Sequence, residues 1–116
     1  MSYKSKIILS QQYKEPDLLT SEFYGEPESG DGFYGKSDGL HTIQYSISNF
    51  VGTLLIQATI CYEPTETDWF TVIENEYELL DETISNIENF IGNYVWIRAV
   101  LKNWTHGTVN VIRMNH

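Results

Sequence analysis

From residue 41 onward, apolar and polar positions alternate in short runs, the period of half-buried strands. Residues 41–48 (HTIQYSIS) place Ile43, Tyr45 and Ile47 on one face. After a turn signal at 49–52, residues 53–62 (TLLIQATICY) set Leu54, Ile56, Ala58 and Ile60 on one side. Residues 63–68 (EPTETD) read as a loop and 69–74 (WFTVIE) as another short strand. Residues 75–89 carry helix formers, but Leu79, Leu80, Ile84 and Ile87 trace no long amphipathic stripe. They read as one or two short edge strands with turns, a short helix being the alternative. Residues 94–101 and 108–114 are β-branched and aromatic runs around a polar joint, 102–107, which is the pattern of a β-hairpin. Within it Val95, Ile97, Ala99 and Leu101 share one face, and Tyr94, Trp96, Arg98 and Val100 the other.

The first third of the chain differs. Residues 5–11 (SKIILSQ) form a strand candidate, but 12–40 lack periodicity and hold two of the three prolines and five of the eight glycines. This stretch reads as a long, turn-rich loop. Such a loop inside a compact domain is usually functional or ordered by a partner. Its aromatics Phe23, Tyr24, Phe33 and Tyr34 argue against free disorder. The expected fold class is therefore all-β: an antiparallel β-sandwich of jelly-roll or immunoglobulin-like kind with a long N-terminal loop region. A chain of 116 residues is expected to be one domain, 1–116.

Charge narrows the partners. The formal net charge is −9, and no Lys or Arg lies between Lys36 and Arg98 while carboxylates crowd residues 63–88. That balance repels phosphate backbones, so nucleic acid is not an expected partner. A solubilising acidic edge is the plain reading. No apolar run reaches membrane-spanning length and none resembles a signal peptide, so the expectation is folding in a reducing cytoplasm without membrane insertion. The lone Cys61 excludes an internal disulfide framework.

Enzyme signatures are missing: no GxSxG, P-loop, HExxH or Rossmann fingerprint occurs. His41, His106 and His116 each sit at a strand end or loop, where a lone histidine is usually a polar cap. Asp31 and Asp38 stand among glycines without the ligand spacing of an EF-hand, so they read as turn formers and neither metal nor cofactor is expected. The acidic pairs Glu66/Asp68 and Asp81/Glu82 lack the opposed geometry that glycosidases need. Among the tryptophans, Trp69 and Trp96 read as packed on a sheet face and Trp104 as the most exposed. Asn103, Trp104 and His106 would then suit recognition of a glycan.

Three fragments, SGDGFYGKSDGLHTIQYSIS (29–48), FVGTLLIQATICYEPTETDWFTV (50–72) and FIGNYVWIRAVLKNWTHGTVNVIRMNH (90–116), lie within residues 29–116, and the acidic block 74–88 is outside them. In that order they resemble a family of small virion structural proteins of T-even-like marine myophages, including those of cyanobacteria. The most specific parts are G-T-x-x-I-Q-A-T followed by D-W-F, and Y-V-W-I-R-A followed by N-W-T-x-G-T-V-N. The resemblance implies a non-enzymatic β-sandwich built in multiple copies into a head decoration, neck, tail or baseplate. It implies assembly in the host cytoplasm, and other virion proteins or a homo-oligomer as partners. Tyr24, Phe33, Tyr34, Tyr94 and Trp96 would then be subunit-contact residues. A carbohydrate- or receptor-binding module on the particle surface is the alternative.

Overall fold

A computed structural model describes residues 5–10, 12–13, 22–35, 39–78 and 83–116. Among these residues eight strands form one antiparallel β system: β1 (Ser5–Leu9), β2 (Gln12–Tyr13), β3 (Phe23–Tyr24), β4 (Glu28–Ser29), β5 (Leu40–Thr59), β6 (Phe70–Tyr77), β7 (Thr83–Ile91) and β8 (Trp96–Asn115). A 3-10 turn, Glu66–Asp68, precedes β6. Two strands, β5 and β8, run 20 residues each and pair with one another along nearly their whole length. Beyond β5 lie β7, on its first half, and β6, on its second. The far edge of β8 carries β1 and β2 along its second half and β3 and β4 along its first.

The two long strands therefore pass through both layers of a sandwich, and the layers meet where those strands bend. In β5 the bend is 49–52; in β8 it is 102–107, and the pairing register shifts between them. Asn49 and Asn103 take left-handed φ values of 54° and 51°, which asparagine tolerates better than most residues. Gly107 has φ 90°, and a Cβ there would stand 2.3 Å from the Asn49 carbonyl oxygen. Strands that cross from one layer to the other are bent in this way.

Inward positions confirm the alternation read from sequence. Ile43, Tyr45 and Ile47 face the core from the first half of β5, and Leu54, Ile56 and Ala58 from the second. Ile97, Ala99 and Leu101 oppose them from β8, joined by Val109, Ile112 and Met114. Each buried branched side chain of this kind contributes about 1.5–3 kcal/mol. Ile60, expected on that inner face, is exposed because β5 ends at Thr59.

At the open side between β6 and β7, a polar knot closes the sandwich. Tyr45 and Tyr77 hydrogen-bond through their hydroxyls, and Asn75 and Asn86 each donate to the Tyr45 oxygen at 3.0 Å. Burial, followed by the bond to Tyr45, raises the Tyr77 pKa far above the ordinary phenol value.

Two expectations change. The closing segment is not a hairpin: its two runs are the halves of one continuous strand, β8, and the polar joint is a bend between layers. Two apolar runs around a Gly-bearing joint look alike in sequence whether the chain reverses or merely turns a corner. The region 12–40 is also more than loop, because its described parts supply β2, β3 and β4 to the β8 edge. Two-residue strands leave no periodic trace. Residues 75–89 are edge strands where described; 79–82 lie outside the described residues, as does Asp38.

Candidate functional site

On the outer face of the second layer, opposite the core, one cation is held in place. Arg98 alternates with Ile97 and Ala99 along β8, so the strand that sends those two inward sends it outward. The outward position is nonetheless covered: Arg98 is buried, and its guanidinium lies 4.3 Å from the Trp69 ring centre and 5.0 Å from that of Tyr24. Its Nε donates to Gln57 Oε1 at 2.9 Å, and Nη1 and Nη2 donate to the two oxygens of Glu66 at 3.3 and 3.1 Å. This two-pronged pairing fixes the guanidinium plane. Glu66 is presented by the 3-10 turn, whose capping box joins Thr65 and Asp68. The hydrogen bond and charge of Arg98 hold the Glu66 carboxyl below the usual carboxylate range.

Around this pair lies a cleft of ≈ 480 Å³ lined by Pro27, Tyr62, Pro64, Glu66, Trp69, Trp96 and Arg98. Half-buried Trp96 donates its indole N–H to the Tyr62 carbonyl at 2.9 Å, which fixes the ring and leaves its π surface as its means of contact. Phe33 leans on Trp96 with ring centres 5.1 Å apart and on Tyr62 at 6.5 Å. Tyr62 is 63% exposed at the rim. Tyr24, whose hydroxyl donates to Glu22 at 3.1 Å, has its pKa raised by burial and then by that bond. The result is a concave surface of rings around a rigid, charged floor, in the volume range of small-ligand sites.

Of the residues proposed from sequence as contacts, Trp96 lines the cleft, Tyr24 and Phe33 reach its lining through Arg98 and Trp96, and Tyr34 lies one ring further out, behind Phe33. Phe33 and Tyr34 meet edge to face at 5.2 Å, and Tyr34 Oη lies 2.7 Å from Ser29 Oγ. Tyr94 does not join them. It precedes β8 rather than belonging to its alternation, and its ring packs inward against Phe90 at 5.9 Å and His41 at 6.4 Å.

The group Asn103, Trp104 and His106 does not make a platform. Trp104, expected to be the most exposed tryptophan, is 3% exposed. The left-handed Asn103 resets the alternation and turns the indole inward beside Phe50, at 6.3 Å, with its N–H donated to the His106 carbonyl. Asn103 and His106 remain exposed on the bend.

The histidines, expected as separate caps, partly converge. His41, the first inward residue of β5, and His116, just after β8, meet Asp31 in the turn that follows β4. All three are buried, and their candidate ligand atoms lie within 4.8 Å of one another.

Arg98, Glu66, Gln57 and Tyr62 are not among the site residues expected from sequence, where Arg98 is only outward-facing and Glu66 only one of an unopposed carboxylate pair. One signal did exist: Arg98 is the lone cation between Lys36 and Lys102, set inside an apolar strand. A charge in such a place is paired when the strand is buried.

No protein-family model matches this sequence, and neither does any curated protein. Solved structures do match in fold. The K2 adhesin domain of Lys-gingipain superposes with a TM-score of 0.59 at 7% identity, over 97% of this chain and 80% of that one. A family 29 carbohydrate-binding module from Piromyces equi gives 0.53 at 12% identity, over 98% and 91%. The C-terminal CBM6 of LamC from Zobellia galactanivorans gives 0.51 at 11% identity, over 99% and 100%. At such identities the likeness is one of fold. The family resemblance seen in the sequence is carried no further than a β-sandwich, and the chain has the β-sandwich architecture of carbohydrate-binding modules and adhesin domains.

Proposed function

We propose that this chain is a non-catalytic recognition module whose ligand is a carbohydrate, bound in the cleft of Trp96, Tyr62 and Trp69 above the Arg98–Glu66 pair. The observation that carries the reading is the conjunction of ring faces with a fixed polar floor. A pyranose presents apolar C–H faces to aromatic rings and hydroxyls to charged donors and acceptors, and the cleft offers both. The fold shared with carbohydrate-binding modules supports it. Catalysis is not supported: hydrolysis of a glycoside needs two opposed carboxyls, and Glu66, the one carboxylate of the cleft lining among the described residues, is bound to Arg98. A glycan microarray followed by titration calorimetry tests the reading. Binding of the best glycan should weaken at least about tenfold in Trp96→Ala, while a panel with no binder contradicts the proposal.

A second reading, assembly in many copies as a virion component made in a host cytoplasm, has separate support. Leu40, Ile87 and Ile91 stand 47, 60 and 74% exposed on the outer face of the first layer, with Leu40 directly opposite Ile91 across the β5–β7 pair. An apolar cluster of this kind suits a protein contact. Light scattering that finds only monomer at high concentration, with the chain missing from purified particles, would remove this reading. The two are compatible, since a module on a particle surface can recognise a glycan.

A further inference from the structure

We propose that Asp31, His41 and His116 bind one divalent transition metal of the zinc class, tying the end of β8 to the start of β5 and to the turn after β4. Three separated segments deliver these side chains to one place. Asp31 and His41 are 0% exposed and His116 is 4% exposed. Their ligand atoms all lie within 4.8 Å of one another. His116 Nδ1 and Asp31 Oδ1 are 2.6 Å apart, and the Asp31 backbone N–H donates to His41 Nε2 at 3.2 Å. Donor atoms around a tetrahedral zinc stand about 3.3 Å apart, so entry of the ion asks that the His116–Asp31 contact open slightly and that His41 Nε2 exchange the Asp31 N–H for the metal.

The ligand set selects the metal. Two imidazole nitrogens and one carboxylate suit zinc and its neighbours, whereas calcium and magnesium take oxygen ligands. The surroundings hold the ligands ready. His41 Nδ1 lies 2.8 Å from the Gly39 carbonyl oxygen, and a proton donated there directs Nε2 toward Asp31. Backbone carbonyls play this orienting part behind metal-bound histidines generally. The imidazoles are clamped by stacking: His41 lies 4.8 Å from Phe90 at 2°, His116 lies 5.5 Å from His41, and Tyr34 covers His116 at 5.6 Å. Three protein ligands leave a further coordination position for water.

Asp31 opens the turn that carries Phe33 onto Trp96, so the ion also steadies one wall of the cleft. That consequence alone rests on the carbohydrate reading; the metal site does not.

The untagged full chain, stripped with chelator, is titrated with Zn2+ by calorimetry and with Co2+ by visible absorption. One equivalent should bind, with cobalt d–d bands that zinc displaces. Affinity should fall at least about a hundredfold in His41→Ala and in His116→Ala and stay unchanged in His106→Ala. No stoichiometric binding, or binding that survives both substitutions, overturns the proposal. Should either variant fail to fold, the histidine ring resonances of the unaltered protein decide. His41 and His116 shifting with Zn2+ sustains the site; His106 alone shifting, or none, removes it.

Discussion

Trp96 and Trp104 lie on the same strand, an even number of residues apart, yet they do opposite work. In an unbroken strand an even spacing keeps two side chains on one face. Here Trp96 stands on the outer face of the second layer and lines the cleft, while Trp104 is buried beside Phe50. Between them lies Asn103 at φ 51°, and beyond it Gly107 at φ 90°. The contrast teaches that alternation holds only between backbone irregularities. Where a strand changes layers, its parity is set afresh, as β5 also shows by burying Ile43, Tyr45 and Ile47 before its bend and Leu54, Ile56 and Ala58 after it.

The corner holds the fold together and the cleft serves recognition, so substitutions in the two should separate cleanly. The largest loss is expected at the corner. Gly107→Ala needs a left-handed φ and collides with the Asn49 carbonyl; the two costs together are about 3–5 kcal/mol by denaturant unfolding. Trp104→Ala should cost about 3–5 kcal/mol, the usual range for emptying a buried indole site. A loss under about 1 kcal/mol at both positions would break the comparison.

Arg98→Ala, in the cleft, should lower both stability and binding. It removes the bonds to Gln57 and Glu66 and the ring contacts of Trp69 and Tyr24, for an expected loss of about 2–4 kcal/mol together with glycan binding. Trp96→Ala should reduce stability by no more than about 2 kcal/mol, since the ring is half-buried, while binding drops at least about tenfold. Equal losses at Trp96 and Trp104 in both assays would erase the distinction.

Glu66→Gln should have the smallest effect, because the carboxylate is 79% exposed and its pairing with Arg98 is screened by water. Its sign is defined. The folded-state pKa lies below the unfolded value, so the ion pair stabilises at neutral pH, and that contribution fades as pH falls through the folded pKa. The unfolding curves of Glu66→Gln and the unaltered protein should differ slightly at pH 7 and merge as pH falls through the depressed folded-state pKa, below the free glutamate value. A difference that grows on acidification would contradict this assignment.

Much of the sandwich was legible because it depends on local period. The inward faces of 41–48, of 54–58 and of 97–101 follow directly from alternation. The corner was not, because two runs joined by NWTHG fit a reversal and a bend equally well. The partners of β8 were not either, since β2, β3 and β4 are too short to carry a pattern. The cleft was half legible: Tyr24, Phe33 and Trp96 are aromatics in exposed or outward contexts, but Glu66 reaches Arg98 only through the β5–β8 pairing. His41 and His116 are brought to Asp31 by topology alone, and no spacing in the chain announces that meeting.

The central claim, that the aromatic cleft binds carbohydrate, is tested most directly by calorimetric titration of the unaltered chain and of Trp96→Ala with the strongest glycan from the array. The account predicts saturable binding to the unaltered chain, weakened at least about tenfold in a variant that still unfolds cooperatively. Equal affinity in the two proteins, or no glycan bound by the folded chain, would contradict it.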